Sequence, residues 1–427
     1  DRLKAAGANI VEFDEKADIY IVNTCSVTNI ADKKSRQMLH RARKMNPDGI
    51  VIAAGCYVQS AREILEQDEA IDIVISNNKK KSITEIVNDY INVRNNEKNA
   101  PGKDHEAMEY FVDISRETEY EEMGGHVPVG HTRAYVKIQD GCNQFCSYCI
   151  IPYVRGRIRS RSQEAILAEV SELAEAGIKE VVLTGIHISS YGKDKNNEGA
   201  LIELIEAISK IKGIKRIRLG SLEPGIITEE FVERISSNSK VCPHFHLSLQ
   251  SGCDSVLKRM NRKYTCKQYF EKCDMLRKAY KSPALTTDVI VGFPGETEEE
   301  FAETVRYLTE LNLYEMHIFK YSPRKGTVAA AMKEQVAPEI KNERSDVLLK
   351  LAHDNKTAYE AQFEGCELEV LVEEVVKKDN KTYLRGHTER YMDILIDVGD
   401  ISMPESFVNS FVYVTYTQNG GNLPLLL

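Results

Sequence analysis

Three cysteines fall within eight residues in the stretch from Asp140 to Cys149, which reads DGCNQFCSYC. The stretch directly follows a predicted strand over residues 134–138, so the three thiols are expected on a loop at a strand end. Thiolates are soft ligands that suit iron–sulfur clusters or zinc. Structural zinc sites usually take four protein ligands in paired C-x2-C units, whereas C-x3-C-x2-C supplies three and leaves one iron of a cubane cluster open. Three buried cysteines packed as small apolar side chains are the alternative.

Alternating strand and helix patterns precede this loop. Predicted strands cover 9–13, 18–22, 50–54 and 71–75, and predicted helices cover 31–45, 61–67 and 83–92. Short apolar strands that alternate with helices are typical of a parallel α/β sheet. Residues 1–7 have the pattern of a helix end, so a first strand is expected upstream of Asp1. We assign residues 1–95 to this domain and residues 96–130, rich in Asn, Lys, Glu, Pro and Gly, to a linker.

A second α/β series fills residues 131–362. Its predicted strands cover 134–138, 179–184, 215–219, 244–249, 285–291 and 314–320. Its predicted helices cover 164–176, 200–211, 228–237, 266–280 and 297–311, followed by a helix over 339–362. Six β/α units predict a partly closed (β/α)6 barrel, whose ligands bind at the C-terminal ends of the strands. Residues 363–427 carry short strands with turn signals and predict a small antiparallel β-barrel.

Composition narrows the class of protein. The 427 residues carry 56 Lys and Arg against 65 Asp and Glu, a net charge of −9, which excludes a coat of basic charge but not a local basic groove. No run of 18 apolar residues is present, so no membrane helix is predicted. Ten cysteines are too dilute for a disulfide scaffold, and no apolar signal core begins the chain. We expect a cytoplasmic protein whose unevenly placed cysteines bind metal or act in redox chemistry.

Two more cysteines follow predicted strands of the N-terminal domain. Cys25 comes shortly after strand 18–22, and Cys56 comes shortly after strand 50–54. Parallel strands end at the same edge of a sheet, where ligands gather. Both thiols are therefore expected to face one site, with two merely buried cysteines at strand ends as the alternative.

The C-x3-C-x2-C motif, with Tyr148 before its third cysteine, resembles the radical S-adenosylmethionine superfamily. The resemblance implies that Cys142, Cys146 and Cys149 form the catalytic centre by holding a [4Fe–4S] cluster, and that Tyr148 lies near the adenine of S-adenosylmethionine. The open iron would bind the amino and carboxylate groups of the cofactor. An electron would then cleave its sulfonium to give a 5′-deoxyadenosyl radical. The predicted partial barrel is also the fold of that superfamily.

Longer motifs narrow the resemblance to the methylthiotransferase family. Three family segments match at predicted strand ends: VLTGIHISSYG from Val182, LSLQSG from Leu247 and DVIVGFPGET from Asp288. These segments line the S-adenosylmethionine pocket in the family, which implies that Gly185, Ser248, Gln250 and Gly292 bind the cofactor. The regions around Cys25 and Cys56 resemble the family's N-terminal domain. That likeness implies an auxiliary [4Fe–4S] cluster whose third cysteine lies upstream of this chain.

The family has branches that act on N6-isopentenyladenosine in tRNA, on N6-threonylcarbamoyladenosine in tRNA and on a ribosomal protein aspartate. The stretches from Asn23 to Gln37 and from Leu183 to His187 look most like the threonylcarbamoyladenosine branch. That likeness implies transfer of a methylthio group to carbon 2 of the adenosine at position 37, beside the anticodon. The radical would abstract the hydrogen, the auxiliary cluster would present sulfur, and a second S-adenosylmethionine would supply the methyl. The other two substrates, and a non-enzymatic RNA-binding iron–sulfur scaffold, remain alternatives.

Basic residues are concentrated in two tracts. Residues 31–45 carry six Lys and Arg against Asp32 alone, and Lys33, Lys34 and Arg36 are the candidate RNA contacts among them. Arg155, Arg157, Arg159 and Arg161 alternate after the cysteine motif. On an extended backbone these four would share one face at a spacing suited to phosphates. A solvated basic face is the alternative.

The terminal barrel resembles the small RNA-binding TRAM domain of tRNA-modifying enzymes. Arg385, together with His387 and Arg390, is a candidate RNA contact in a predicted turn over 384–388. The resemblance of the whole chain to the methylthiotransferase family implies a tRNA substrate and an electron donor such as flavodoxin or ferredoxin, with no membrane or DNA partner.

The remaining cysteines fall outside any ligand spacing and are expected to be reduced core or surface thiols: Cys242, Cys253, Cys266, Cys273 and Cys366. His244 and His246 flank a strand end, where one of them is a candidate pocket residue and a structural role is the expectation.

Overall fold

The computed structural model describes residues 2–26, 28–97, 108–124, 132–379, 381–399, 403–417 and 420–422. The chain divides into two compact units. The first comprises Asp1–His126, Asp140–Ser160 and Ser322–Ala331, and the second comprises Val127–Gln139, Arg161–Tyr321 and Met332–Leu427. The loop with three cysteines therefore belongs to the same unit as the N-terminal domain. Residues 98–107 and 125–130 of the predicted linker lie outside the described residues.

A parallel sheet with helices around it forms the N-terminal part. Its strands are β1 (Ile19–Thr24), β2 (Ile50–Gly55), β3 (Ile73–Ile75) and β4 (Met108–Tyr110), in that spatial order. Its helices are α1 (Arg2–Ala5), α2 (Asn29–Met45), α3 (Cys56–Ser60), α4 (Arg62–Glu66) and α5 (Ile83–Glu97). Every residue of β2 is buried, which explains why its sequence is continuously apolar.

Two local predictions for this part differ from the structure. The predicted strand over 9–13 is wrong, because these residues precede β1 without a paired strand and most of them are exposed. Strand β4 lies within the predicted linker over 96–130, so the sequence analysis assigns no strand there, and only three of its residues pair with the sheet. Thus sheet pairing, rather than local alternation, decides which short segments become strands.

The central region contains the predicted partial barrel. Its long strands are β5 (Arg133–Asp140), β7 (Glu180–Gly185), β8 (Arg216–Leu219), β9 (His244–His246), β10 (Ala284–Val291) and β11 (Glu315–Lys320), and the two-residue strand β6 is Arg159–Ser160. Its helices are α6 (Ile151–Val154), α7 (Gln163–Glu175), α8 (Ala200–Ser209), α9 (Glu229–Ser236), α10 (Asp254–Arg259), α11 (Cys266–Ala279) and α12 (Glu298–Leu311). Parallel pairing joins β5 to β7 and β7 to β8, and it also joins β9 to β10 and β10 to β11. Single bridges between Ile217 and Val241 and between Leu222 and Leu247 connect the two groups of strands.

Alternate residues of these strands face opposite sides of the sheet. One face is apolar and packs against the helices, with Val181, Ile217, Phe245, Val289 and Met316 in its core. The intervening positions hold charged or polar residues, including Glu180, Arg216, Arg218, His246, Asp288 and His317. The inner face of the partial barrel is therefore polar.

The C-terminal part is a closed five-stranded barrel that follows helix α13 (Pro338–Ala361). Its strands are β12 (Glu367–Lys378), β13 (Lys381–Thr388), β14 (Asp393–Asp397), β15 (Phe411–Thr417) and β16 (Gly420–Asn422). The pairs are antiparallel except for β14 with β16, which is parallel. The α/β fold class, with its partial barrel and terminal β-barrel, is thus confirmed. The predicted turn over 384–388 is wrong, because these residues lie within β13.

Short 3₁₀ helices complete the described elements: Lys80–Ser82, Ile188–Ser190, Lys193–Lys195, Pro224–Ile226, Ala329–Ala331 and Pro404–Phe407. Among the described residues, no helix combines the length and the apolar composition needed to span a bilayer.

Candidate metal and cofactor centre

Strands β1 and β2 bring Cys25 and Cys56 to one edge of the N-terminal sheet. Thr24 of β1 pairs with Gly55 of β2 at the last register position, and each cysteine is the next residue after its strand. A Cβ on Gly55 would lie 2.5 Å from the carbonyl oxygen of Thr24, so only glycine permits this close approach. Cys25 is exposed and Cys56 is buried. The placement at one sheet edge agrees with the strand-end argument from the sequence.

The Cys56 thiol lies among residues that follow the three-cysteine motif. Ile150 and Val154 pack with it, and the Arg155 Nε donates a hydrogen bond to its Sγ at 3.0 Å. The same guanidinium lies 3.4 Å from the Asp140 carboxylate. Burial disfavours the charged guanidinium, yet the charges of Asp140 and Cys56 raise the pKa of Arg155 above its ordinary value. A cation that donates to sulfur is the kind of contact that tunes iron–sulfur centres.

The loop with Cys142, Cys146 and Cys149 is folded back on itself. Gly141 has φ +73°, and a Cβ there would lie 1.7 Å from the carbonyl oxygen of Arg157. The Cys142 amide donates to the Gly156 carbonyl at 3.0 Å, and the Cys149 amide donates to the Cys146 carbonyl at 2.9 Å. All three cysteines are partly accessible. The loop therefore presents three partly accessible thiols within eight residues, and it belongs to the same unit as Cys25 and Cys56.

Four arginines follow this loop, and the prediction that they share one phosphate-facing side is wrong for three of them. Arg155 points at Cys56 and Asp140, as described above. Arg159 is fully buried, donates to the carbonyls of Arg155 and Arg157 at 2.9 and 3.1 Å, and lies 3.9 Å from Asp140. Arg161 is buried against Glu169. Only Arg157 is exposed, with its guanidinium 4.7 Å from the Phe145 ring centroid. The segment 155–161 includes a helix end and a turn, so alternation does not place the side chains on one face.

Arg324 is a residue of this unit that the sequence did not single out. Its guanidinium is 2.6 Å from the Asp32 carboxylate and also donates to Asn29 Oδ1 at 2.6 Å and to Ser26 Oγ at 2.9 Å. Nearby, the Ala329 amide donates to the Ser147 carbonyl at 2.8 Å. The segment from Ser322 to Ala331 thus forms hydrogen bonds both with residues that follow Cys25 and with the three-cysteine loop. No local pattern reveals this, because the partners are about 300 residues apart.

In the second unit, the residues predicted to bind S-adenosylmethionine lie at or beyond the C-terminal ends of strands. Gly185 ends β7, and a Cβ there would lie 2.9 Å from the Gln139 carbonyl oxygen. The Ser248 hydroxyl is 2.8 Å from that of Ser221. Gln250 is buried with φ +74°. Gly292 has φ +68°, and a Cβ there would collide with the Lys341 Cγ at 2.3 Å.

A polar network also lies near these strand ends, and the sequence did not predict it. His187 Nε2 lies 2.9 Å from Glu223 Oε2, and its Nδ1 lies 2.5 Å from Ser190 Oγ. Burial opposes the charged form of Glu223, but the hydrogen bond and charge of His187 lower its pKa below the ordinary value. Arg262 donates to the Ser248 carbonyl at 3.1 Å and lies 3.8 Å from Glu223. The network holds the Ser248 segment through its backbone.

The other RNA candidates differ in their surroundings. Lys33, Lys34 and Arg36 are exposed on α2. Arg385 lies 2.8 Å from Asp393 and 3.2 Å from Glu374, and its bonds to Asp393 raise its pKa. His387 lies 2.9 Å from Glu373, and Arg390 donates to the Ser282 carbonyl at 2.9 Å. Of these candidates, the α2 residues present the more available positive charge.

The five remaining cysteines have the surroundings expected of bystanders. Cys366 is exposed, whereas the other four are buried. Burial raises the pKa of Cys242 and of Cys273 to about 12, and it also raises the pKa values of Cys253 and Cys266. The raised pKa values favour the protonated form of these four buried thiols, which makes them poor metal ligands.

Comparison with known proteins agrees with this arrangement. Residues 136–308 match the Radical SAM superfamily, and residues 1–76 match the Uncharacterized protein family UPF0004. A radical S-adenosylmethionine methyltransferase from Kitasatospora setae, TsrM, has the same fold over 74% of this chain and 66% of its own, with a TM-score of 0.56 at 16% identity. The partial barrel and the motif that follows its first strand thus define a radical S-adenosylmethionine enzyme.

Closer relatives narrow the class. The threonylcarbamoyladenosine tRNA methylthiotransferase MtaB of Bacillus subtilis is 39% identical over 92% of this chain and 85% of its own. MtaB of Aquifex aeolicus is 37% identical over 91% and 92%. The tRNA-2-methylthio-N(6)-dimethylallyladenosine synthase of Thermoanaerobacter pseudethanolicus is 36% identical over 97% and 86%. The chain belongs to the methylthiotransferase family of the radical S-adenosylmethionine superfamily. That membership implies S-adenosylmethionine and [4Fe–4S] clusters, as the sequence predicts.

Proposed function

We propose that this protein transfers a methylthio group to carbon 2 of N6-threonylcarbamoyladenosine at position 37 of tRNA. The observation that carries the proposal is the gathering of Cys25, Cys56 and the three-cysteine loop in one compact unit. Two groups of thiols in one unit suit a reaction that needs both a radical source and a sulfur source. Relatives named for this substrate, at 37–39% identity over most of the chain, support the choice of adenosine.

The donor set fits iron–sulfur clusters, because it consists of soft thiol ligands and an N–H donor is directed at one of the sulfurs, that of Cys56. The three loop thiols are partly accessible, Cys25 is exposed and Cys56 is buried. Cys142, Cys146 and Cys149 would hold the cluster that binds S-adenosylmethionine, and Cys25 and Cys56 would be ligands of the auxiliary cluster. When bound, the clusters supply the electron and the sulfur for the transfer. Arg155 orients the Cys56 sulfur and ties it to Asp140. In the second unit, Gly185, Ser248, Gln250 and Gly292 would bind S-adenosylmethionine.

Exposed cations would bind the tRNA backbone. Lys33, Lys34 and Arg36 on α2, and Arg157 after the cysteine loop, are exposed in the same unit as the thiols. Phosphate contacts of this type release counterions, so the affinity for tRNA should fall as salt rises. A flavodoxin or ferredoxin would supply electrons, and the reaction would take place in the cytoplasm with its tRNA substrate.

The test is cleavage of S-adenosylmethionine by reconstituted full-length protein with dithionite. Cys146→Ala should abolish 5′-deoxyadenosine formation while leaving the iron and the spectrum of the auxiliary cluster in place. Cys366→Ala is the matched control, because this exposed thiol lies outside both groups, and it should cleave like the wild type. No cleavage by the wild-type protein would overturn the radical mechanism and favour an RNA-binding scaffold.

The nucleoside itself is tested by mass spectrometry of tRNA from cells that lack the protein. We expect loss of the methylthio form of threonylcarbamoyladenosine and retention of the methylthio form of isopentenyladenosine. The reverse pattern would transfer the assignment to the substrate of the dimethylallyladenosine relatives. Intact levels of both would point to a substrate other than these nucleosides.

A further inference from the structure

Three polar side chains meet on the inner face of the sheet in the second unit. They are His246 on β9, Asp288 on β10 and His317 on β11. Register brings them together, because Asp288 pairs with His317 and the neighbouring Thr286 pairs with His246. One side-chain atom of each residue lies within 4.8 Å of the others. His246 Nε2 is 3.4 Å from Asp288 Oδ2, and the two imidazole rings stack with centroids 5.8 Å apart.

The three side chains are held in place and remain accessible. The hydrogen bond between His246 Nδ1 and Thr286 Oγ1, at 3.0 Å, fixes the imidazole so that Nε2 is directed at Asp288. The Asp288 side chain is 31% exposed, and His317 is exposed. Phe319, two residues further along the same face of β11, is 50% exposed. Polar groups that are oriented but reachable are suited to a ligand rather than to a core.

This cluster is continuous with the residues proposed to bind S-adenosylmethionine. The Gln250 amide donates to the Asp288 carbonyl at 2.9 Å, and the Ile290 amide donates to the Gln250 carbonyl at 2.9 Å. His246 precedes Ser248 by two residues, and Asp288 precedes Gly292 by four. A molecule that reacts with a radical formed at these strand ends would therefore have these three side chains within reach.

The chemistry of the cluster separates the two nucleosides on which the relatives act. A threonylcarbamoyl substituent carries urea N–H groups, a carbonyl, a hydroxyl and a carboxylate, whereas an isopentenyl substituent is a hydrocarbon. Asp288 can accept from an N–H or O–H, and an imidazole N–H can donate to a carbonyl or carboxylate oxygen. A hydrocarbon would desolvate these groups without pairing them, which is costly. Sites built for hydrogen bonds reject analogues that lack the partner more strongly than apolar pockets do.

We infer that His246, Asp288 and His317 bind the polar substituent at N6 of the target adenosine, an inference that rests on the proposed function. They thereby select threonylcarbamoyladenosine over isopentenyladenosine. The site takes an oxygen-rich amino-acid substituent with both hydrogen-bond donors and acceptors.

The experiment compares anticodon stem-loop RNAs that carry threonylcarbamoyladenosine, isopentenyladenosine or plain adenosine at the target position. Binding to the full-length holoenzyme is measured for the wild type, His317→Phe and Asp288→Asn. We expect the preference for the threonylcarbamoyl RNA over the other two to fall by about 10- to 100-fold in each variant. For His317→Phe, which lies outside the segments that line the S-adenosylmethionine pocket, RNA-independent cleavage of S-adenosylmethionine and the unfolding midpoint should remain those of the wild type, which separates a binding role from a structural one.

His353→Phe is the matched control, because this histidine is exposed on α13 and is not part of the cluster, and it should keep the wild-type preference. Wild-type preference in both His317→Phe and Asp288→Asn would overturn the inference and leave the proposed function intact. A stoichiometric divalent ion in the wild-type holoenzyme, beyond cluster iron and lost in His317→Phe, would also overturn it by making the cluster a metal site. A wild-type protein that modifies only the isopentenyl RNA would overturn both proposals.

Discussion

Gln250 has a left-handed backbone, with φ +74°, although it carries a full side chain. This conformation costs a residue with a Cβ roughly 1–2 kcal/mol relative to its ordinary backbone. Its neighbours in the sheet hold it there through the bonds to Asp288 and Ile290. Strain of this kind often accompanies a functional position, and Gln250 lies among the residues proposed to bind S-adenosylmethionine.

Gln250→Gly should therefore raise the free energy of unfolding by up to about 1 kcal/mol, while weakening the binding of S-adenosylmethionine. Urea unfolding gives the first quantity, and equilibrium dialysis with the reconstituted protein gives the second. Asn312→Gly is the control, since Asn312 has φ +47° at the exposed C-terminal end of α12. It should change stability alone. Unchanged affinity in Gln250→Gly would remove this side chain from the cofactor surface.

Arg157 and Arg159 differ by two positions but have opposite surroundings. Arg159 is buried and donates hydrogen bonds to two backbone carbonyl groups beside Asp140. Burial lowers the pKa of its guanidinium, although the negative charge of Asp140 opposes this effect. Arg157 is exposed on the Phe145 ring. Arg159 is therefore structural, whereas the guanidinium of Arg157 is open to solvent.

Arg159→Leu should lower the free energy of unfolding by about 2–4 kcal/mol, because it leaves buried carbonyl groups without donors. Arg157→Leu should cost less than about 1 kcal/mol, the size of an exposed cation–π contact, and should weaken tRNA binding with a shallower salt dependence. Chemical denaturation and binding at several salt concentrations measure the two effects. Equal stability losses in both variants would contradict this division.

At the scale of elements, helix α12 begins with a capping box. Thr297 accepts from the Glu300 amide at 3.2 Å, and Glu300 accepts from the Thr297 amide at 3.0 Å. Arg259 of α10 donates to both oxygens of Glu300, at 2.8 and 2.6 Å. The hydrogen bonds from Arg259 lower the pKa of Glu300 to about 2, although burial opposes this. The carboxylate thus joins the start of one helix to the end of another.

Because the folded pKa of Glu300 is depressed, its stabilising effect is complete above the ordinary pKa near 4.5 and is lost as pH falls towards 2. Glu300→Gln should cost about 1–2 kcal/mol at pH 7. The difference from the wild type should narrow as pH falls from 5 towards 3. Unfolding at a series of pH values measures this, with Glu310→Gln, exposed on the same helix, as the control. A difference independent of pH would show that the charge of Glu300 does not matter.

At the scale of the whole second unit, buried arginines connect the partial barrel to the terminal barrel. Arg218 lies 2.7 Å from Glu180, and it donates to the carbonyls of Glu389 and Thr388 at 2.9 and 3.2 Å. Arg216 donates to the carbonyls of His387 and Glu369, both at 3.0 Å. The charges of Arg218 and Arg216 keep the pKa of Glu180 low against strong burial. The terminal barrel is therefore anchored by charge as well as by apolar contact.

Arg218→Met should destabilise the protein by about 3–5 kcal/mol, because it leaves Glu180 buried beside a weaker partner. Hydrogen exchange at the C-terminal end of β13 should increase, since the contacts to the carbonyls of Thr388 and Glu389 are lost. The double variant Arg218→Met with Glu180→Met should recover part of the stability, as replacement of a whole buried ion pair often does. If the double variant is less stable than the single one, the cost comes from packing rather than from the unpaired charge.

The sequence by itself determined the elements and the candidate ligands. Short apolar runs and amphipathic helices placed β2, β10, α7 and α12 within a few residues, because periodicity is a local property. The spacing of Cys142, Cys146 and Cys149, and the positions of Cys25 and Cys56 after strands, followed from the same short windows.

Only the tertiary structure decided which polar groups pair with which. Several of these contacts join segments that are far apart in the chain. Arg155 bonds to Cys56, Arg324 bonds to Asp32, and one cluster brings together His246, Asp288 and His317. Alternation predicted four exposed arginines, but burial and ion pairing depend on distant neighbours that no local window contains. The candidate cysteine ligands are therefore readable from sequence, whereas the pairing of distant polar groups depends on contacts that form only on folding.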